Sequence, residues 1–256
     1  MISTEIKYLK SLYNRKTRVV EKKVILDGLR LIYESYRANA IIDTIFFTNS
    51  FYDRKKNDKY VKILLQAGIP TNIIKESELN KISNNSNPQG IISTCHISYK
   101  KIPLNHPYKS NWVILDNISD PGNLGTILRT CEWFGIKNIL ISNDSVDIYN
   151  DKVLRSAMGA HFYFENILQS ELLPIINELK NNSYIIAGTS INGDSINTIT
   201  LEKKINYAIV MGNEANGISK HLHSSIEKYI RVPQAGNIES LNVAIACGII
   251  LNKINC

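Results

Sequence analysis

The run WVILD, from Trp112, constrains this chain more than any other feature. It is apolar from Trp112 to Leu115 with no polar alternation, so both its faces must be buried, as in a parallel sheet covered by helices. The runs NILIS, YIIAG, INYAIVMG and YIRV follow as further strands. Between them lie the helical segments 124–134, 151–158 and 171–180, the short KHLHSSI segment and an Ala-rich closing helix. Strands alternating with helices predict an α/β fold with a mainly parallel sheet and helices on both faces.

The first hundred residues alternate differently. A basic amphipathic helix opens the chain, with Ile6, Leu9, Leu12 and Tyr13 at helical spacing. The run VILDGLRLIYESY then reads as strand, glycine break and helix, with Leu29, Ile32, Tyr33 and Tyr36 on one face. Two more strands, IIDTIFFTN and IPTNIIK, alternate with helices in DKYVKILLQAG and ESELNKIS, and IISTCHI is a last strand. This predicts a compact α/β domain over residues 1–100, a linker at 101–110 with two prolines, and a second domain over 111–256.

Composition narrows the partners. A net charge of +7 and 21% charged residues favour a polyanion, with a solvated helix face as the plain alternative. The four cysteines, Cys95, Cys131, Cys247 and Cys256, form no CxxC pair, so a zinc site or disulfide framework is not expected, nor any other metal. No apolar run approaches membrane-spanning length and none at the start resembles a signal peptide, so a cytoplasmic protein without a membrane partner is expected. His161, His221 and His223 read as surface or helix-edge residues, and His96 and His106 likewise. There is no GxGxxG and no P-loop, which disfavours Rossmann dinucleotide or methyltransferase sites.

Three polar stretches follow strands of the second domain: NISDPGNLGTILRTCEWFG from Asn117, VMGNEANGIS from Val210, and RVPQAGNIESLNVAIACGIILN from Arg231. In open parallel sheets, ligands lie at the carboxyl ends of strands, where these stretches fall. In the third, a polar turn on Gly236 and Asn237 precedes Ser240-Leu241-Asn242, with Ser240 as a candidate helix cap. Taken singly, Asn123 reads as well as an N-cap, Glu214 as a loop carboxylate and Asn242 as a satisfied helix residue.

Together, in this order, the three stretches resemble the signature motifs of the SpoU/TrmH family, RNA ribose 2′-O-methyltransferases of the SPOUT class. KVLRSAMGAH, residues 152–161, is similar to a secondary segment of that family. VILDGLRLIYES with NPQGI resembles its L30e-like substrate-binding domain, with Asp27 where Glu is usual. The resemblance implies a deep trefoil knot in the C-terminal domain, a homodimer, and S-adenosylmethionine as cofactor. It implies methylation of a ribose 2′-hydroxyl in structured RNA, with rRNA and guanosine as the expected target. A tRNA enzyme, or a non-catalytic RNA-binding or ribosome assembly factor, is the alternative.

Carried onto this sequence, the resemblance makes Arg129 the catalytic arginine, with Asn123, Glu214, Ser240 and Asn242 around it. It assigns cofactor contacts to Gly212, Val232 and Leu241, with Thr189 beside the adenosine. Arg155 is either a phosphate contact or a surface ion pair, and the basic N-terminal helix, with Arg18 and Lys22, becomes an RNA-docking surface.

Overall fold

The structure, a computed structural model, describes residues 1–97, 110–198 and 205–255. Contacts divide the chain into two compact units, residues 1–99 with 149–162, and residues 100–148 with 163–256. The linker reading at 101–110 lies, but for Ser110, outside the described residues, as do His106 and Cys256.

Unit 1 begins with α1 (Ser3–Ser11) and α2 (Arg15–Glu21), separated at Asn14, whose side chain caps α2 by accepting from Lys16 N at 2.8 Å. The single basic helix expected here is therefore two. There follow β1 (Lys23–Asp27), α3 (Leu29–Arg37), β2 (Ile42–Thr48), α4 (Asn49–Lys55), α5 (Lys59–Gln66), β3 (Thr71–Ile74), α6 (Glu76–Ile82) and β4 (Ile91–His96). The sheet order is β1-β4-β2-β3, antiparallel except for the β2–β3 pair. The polar α4 was not expected from its sequence. It forms because Thr48 Oγ1 accepts from Phe51 N at 3.3 Å and Phe51 is buried. Leu9, Leu12, Ile25, Phe46, Leu79, Ile82 and Ile92 form one core.

Unit 2 carries β5 (Trp112–Leu115), α7 (Pro121–Trp133) and β6 (Asn138–Ser142). Next in the chain comes α8 (Asp151–Ala157), which belongs to unit 1, where it packs on β1. Sequence continuity had assigned α8 to the second domain, but its buried Val153, Leu154 and Ala157 place it with the first. Unit 2 resumes with β7 (Asn166–Ser170), α9 (Leu172–Asn181), β8 (Ile185–Ser195), β9 (Tyr207–Met211), a 3-10 turn at Lys220–Ser225, β10 (Lys228–Arg231) and α10 (Val243–Asn255). The sheet is parallel throughout, in the order β10-β8-β9-β5-β6-β7. Strand β7 was not read from the sequence, because its half-polar edge run NILQS lacks the apolar continuity of the central strands.

The alternation within each central strand serves two layers. Trp112, Ile114, Leu140, Ala208 and Val210 meet Leu172, Ile176 and Leu179 of α9. The intervening Val113, Leu115, Ile139, Ile209 and Met211 are equally buried, on the opposite face. Helices α7 and α10 pack on each other and bury Leu124, Ile127, Leu128 and Cys131 from one, Cys247, Ile250 and Leu251 from the other. Each such Leu or Ile contributes roughly 1.5–3 kcal/mol by leaving water. Among the described residues no helix is long and apolar enough to cross a membrane.

Candidate active site

The chain runs outward from β5 through β6 to β7, then crosses to place β9, β8 and β10 on the other side. That reversal brings the carboxyl ends of β5 and β9 side by side. Asp116 N continues the pairing by donating to Met211 O at 2.8 Å. The loops after these strands are tied at once. The buried Asp116 carboxylate accepts from Ser219 N at 2.7 Å, and Asn213 Nδ2 donates to Asn117 O at 3.0 Å. Asn117 N and Ile118 N donate to the hydroxyls of Ser142 and Ser145 at 2.8 and 2.9 Å.

Beyond β9 the loop doubles back tightly. Asn213 and Gly217 exchange backbone hydrogen bonds of 3.0 and 2.9 Å. A Cβ on Gly212 would sit 2.2 Å from the Gly217 carbonyl carbon, so no side chain fits there. Asn213 Oδ1 also accepts from Ala215 N at 2.9 Å. This folding holds Glu214, half-buried, at a fixed place over the start of α7.

That start is capped by Asp120, whose Oδ1 accepts from Asn123 N at 2.7 Å, with Pro121 in the first turn. Asn123 is thus not the cap, and its side chain is left for another role. Its Nδ2 donates to Glu214 Oε1, and its Oδ1 accepts from Asn242 Nδ2 at 2.9 Å. Asn242 in turn caps α10, its Oδ1 accepting from Ala244 N at 3.0 Å and Ile245 N at 3.3 Å. The helix amides require an oxygen at one end, and the carboxylate requires a donor at the other. Both amide orientations follow from those two anchors. One side chain from each polar stretch meets here, across 91 and 119 residues of sequence.

Arg129 lies on the same helix six residues on, about 120° around it from Asn123 at 3.6 residues per turn. It is exposed with Thr126 and Trp133. None of the described residues pairs with its guanidinium, and neither Asn123 nor Glu214 orients it. Ser240 is exposed and does not cap α10: the helix starts at Val243, so Asn242 holds the cap position. Gly212 is buried, Thr189 and Val232 are half-buried, and Leu241 is 38% exposed. From Val232 to Leu241 the backbone N–H groups make no hydrogen bond to backbone among the described residues. The turn between Val232 and Leu241 is braced by Gln234 instead, whose Nε2 donates to Gly236 O at 2.8 Å and Ile238 O at 2.6 Å.

The three residues assigned to RNA lie in unit 1 and fare differently. Arg18 is 3% exposed and donates from Nη1 to Leu12 O at 3.2 Å and Tyr13 O at 2.6 Å, closing off α1. Its place on a docking face is corrected, because the guanidinium serves carbonyls that the helix end leaves unpaired. Lys22 is exposed in a left-handed conformation at the end of α2. Arg155 pairs with Asp151 at 2.9 Å within α8, the ion-pair alternative.

Two further groups were not singled out from sequence. Asp116, the only polar residue of the WVILD run, anchors the second polar stretch. Trp133 is 84% exposed on α7, and its spacing of four from Arg129 was the available signal. His161, expected at the surface, is 3% exposed and stacks on Tyr149 at 5.7 Å. Burial raises the Cys131 thiol well above its ordinary range, and the neighbouring Cys247 thiol adds to the shift. Cys131 is a packing group, not a nucleophile. Among the described residues no cluster of His, Cys, Asp or Glu could hold a metal.

A model of the SpoU rRNA methylase family matches residues 110–252, the span that carries all three stretches. The chain belongs to the SpoU methylase family. Residues 3–93 match the MRM3-like substrate binding domain, so both halves of this SpoU chain are covered. Over 248 residues it is 27% identical to the 23S rRNA (guanosine(2553)-2′-O)-methyltransferase RlmP of Bacillus subtilis, spanning 96% of this chain and 94% of that one. It is 32% identical over 223 residues to an uncharacterized tRNA/rRNA methyltransferase of Borreliella burgdorferi, covering 80% and 96%. The solved AdoMet-bound rRNA methyltransferase from Sinorhizobium meliloti superimposes with a TM-score of 0.81 at 26% identity, covering 98% and 94%.

Proposed function

We propose that this SpoU-family chain transfers a methyl group from S-adenosylmethionine to a ribose 2′-hydroxyl of structured RNA, with rRNA as the substrate and guanosine as the nucleotide. The observation that carries the reading is the hydrogen-bonded line Asn242–Asn123–Glu214, which fixes the three polar stretches to one another at the carboxyl edge of the sheet. The relatives named above, an rRNA guanosine 2′-O-methyltransferase and an AdoMet-bound rRNA methyltransferase, support the same chemistry.

S-adenosylmethionine supplies a methyl group already activated as a sulfonium. Val232 and Leu241 wall its adenine, backbone groups of the turn between them read the ring edge, and Gly212 keeps the facing loop close. Thr189 stands on the adenosine side. What remains for the protein is to align the ribose oxygen and to manage one proton. Arg129, permanently protonated, cannot serve as a base. It polarises the 2′-oxygen or holds the adjacent phosphate, and the hydroxyl proton passes late to water. Asn123, Glu214 and Asn242 hold the loops in register, and Ser240 faces solvent where substrate arrives.

Three finer features belong to the same reading. Strand β10 lies at the sheet edge, yet α10 packs on α7, which follows central β5. The chain must cross back over β8 and β9, as a deep trefoil knot requires. Trp133, Ile245 and Ile249 are 84%, 55% and 40% exposed on this helix pair, an apolar area suited to a second copy in a homodimer. The mixed four-stranded sheet of unit 1 suits an L30e-like RNA-binding domain, and an rRNA substrate suits a cytoplasmic enzyme.

The test is methyl transfer from labelled S-adenosylmethionine to total RNA from cells lacking this protein, with ribose methylation mapped in the product. One newly methylated 2′-position, lost in Arg129→Ala, is expected. Transfer to a base, or none to naked RNA or ribosomal subunits, overturns the reading. Arg129→Lys separates the roles of charge and fork: a rate kept by lysine would exclude the planar guanidinium from the mechanism.

A further inference from the structure

Unit 1 carries a second concentration of chemistry, away from the basic start of the chain. Tyr60, the second residue of α5, is half-buried, and two cations lie at its ring. The Arg30 guanidinium carbon and Lys59 Nζ are each 5.0 Å from the centroid. Tyr33 of α3 sits against it, ring centroids 4.2 Å apart and planes at 43°. Arg30 Nη1 donates to the Tyr60 hydroxyl at 2.5 Å, and its Nη2 pairs with Glu34 at 2.9 Å. Glu34 also receives Arg37 at 3.2 Å, so its charge is met twice.

This arrangement differs from an ordinary surface of lysines in two ways. The Arg30 guanidinium is held in place by a phenol and a carboxylate while its side chain stays 52% exposed. The rotamer entropy that a ligand would otherwise have to remove is already spent. Both exposed cations also sit at the one Tyr60 ring, so stacking on the guanidinium plane and phosphate neutralisation are available at one place. Unpaired RNA bases use that pair of interactions, stacking on aromatic rings or guanidinium planes while basic groups meet the backbone. At α1 and α2, by contrast, Arg18 is buried, and Lys10, over the Tyr13 ring, is bound to Ser83 O and Asn84.

We propose that Arg30, Tyr33, Lys59 and Tyr60 form a platform on which unit 1 receives an unpaired loop or bulge of the substrate RNA. The proposal rests on the reading of this chain as an RNA-modifying enzyme and names the surface that holds the substrate. It takes RNA rather than an acidic protein because the exposed guanidinium of Arg30, held over the Tyr60 ring, gives a flat face on which a base can stack and which a carboxylate surface does not use.

The experiment compares two double variants that each remove two exposed cations: Arg30→Ala with Lys59→Ala, and Lys7→Ala with Lys16→Ala from α1 and α2. Each is measured for binding of a fluorescent rRNA transcript, and of a fully paired RNA duplex of equal length, by anisotropy. Methyl transfer to the same transcript is followed alongside. The platform pair is expected to weaken transcript binding and raise its KM by roughly tenfold, with kcat, S-adenosylmethionine affinity and duplex binding near wild type. Equal losses in both pairs, or a loss as large on the duplex, reduce the effect to net charge and overturn the platform. Should the pair melt early, the exposed Lys59→Gln alone decides, by exceeding or merely matching Lys7→Gln. A wild-type protein that binds the transcript without methylating it breaks the functional reading and leaves the binding comparison to judge the platform.

Discussion

Each unit turns a strand into a helix beside a buried aspartate, and the two junctions have opposite characters. In unit 1, Asp27 ends β1. One of its oxygens accepts from Ser83 Oγ at 2.5 Å, and the other finds no hydrogen-bond partner among the described residues. The turn is made by Gly28 at φ 110°, and Gln89 Oε1 takes the first helix amide, Leu29 N, at 3.2 Å. In unit 2, Asp116 follows β5 and holds the backbone of a loop more than a hundred residues away, while Asp120 caps the helix and Asn123 is released to reach two other loops. A local junction needs only to close its own turn. A junction that builds a site moves capping to one residue so that another can reach across the fold.

That contrast can be broken at its strongest point by Asn123→Ala. Both hydrogen bonds go, Glu214 and the α10 cap lose their shared partner, and kcat/KM should fall on the order of 100-fold, as a misalignment of about 1 Å does. Full activity with only a lower melting temperature would make Asn123 a structural residue, and the two junctions alike. Next comes Asp116→Ala, which leaves Ser219 N unpaired in a half-buried place. A loss of roughly 1–3 kcal/mol in urea unfolding is expected, and an unchanged midpoint would show that the loop does not depend on the strand.

The smallest effect tests unit 1. Burial raises the Asp27 carboxyl above its ordinary value, opposed in part by the Ser83 hydroxyl and then by Arg155. Its folded-state pKa therefore exceeds the unfolded one, so stability from its protonated form is complete below about 3.8 and is lost as pH rises through the folded value. Asp27→Asn should raise the melting temperature at pH 7, and the gain should vanish near pH 3.5. A loss at pH 7 would mean that Asp27, like Asp116, is tied to something that needs its charge.

The sequence made the alternation of strands and helices plain, because each central strand must be apolar on both faces. The three polar stretches were equally plain, since strand ends in such sheets carry ligand sites. Side-chain destinations were less visible. Ser240 and Asn242 are both good capping residues two positions apart, and only the start of the helix at Val243 decides between them. Arg18 has the spacing of a solvated cation, and its burial depends on the break between α1 and α2 that leaves carbonyls to be met. The affiliation of α8 lay in which core its Leu154 entered, a long-range fact with no local signature.

Asn242 joins the first turn of α10 to the side chain of Asn123. The amides of Ala244 and Ile245 therefore act as built-in spectroscopic reporters. Any event that pulls Asn123 away removes the acceptor that holds the Asn242 amide in its capping pose, so the chemical shifts and exchange rates of these two protons register loop rearrangement without a label near the cofactor or the RNA. In a protein whose reaction leaves no chromophore behind, two backbone resonances of one helix would give a continuous readout of whether the three loops are engaged.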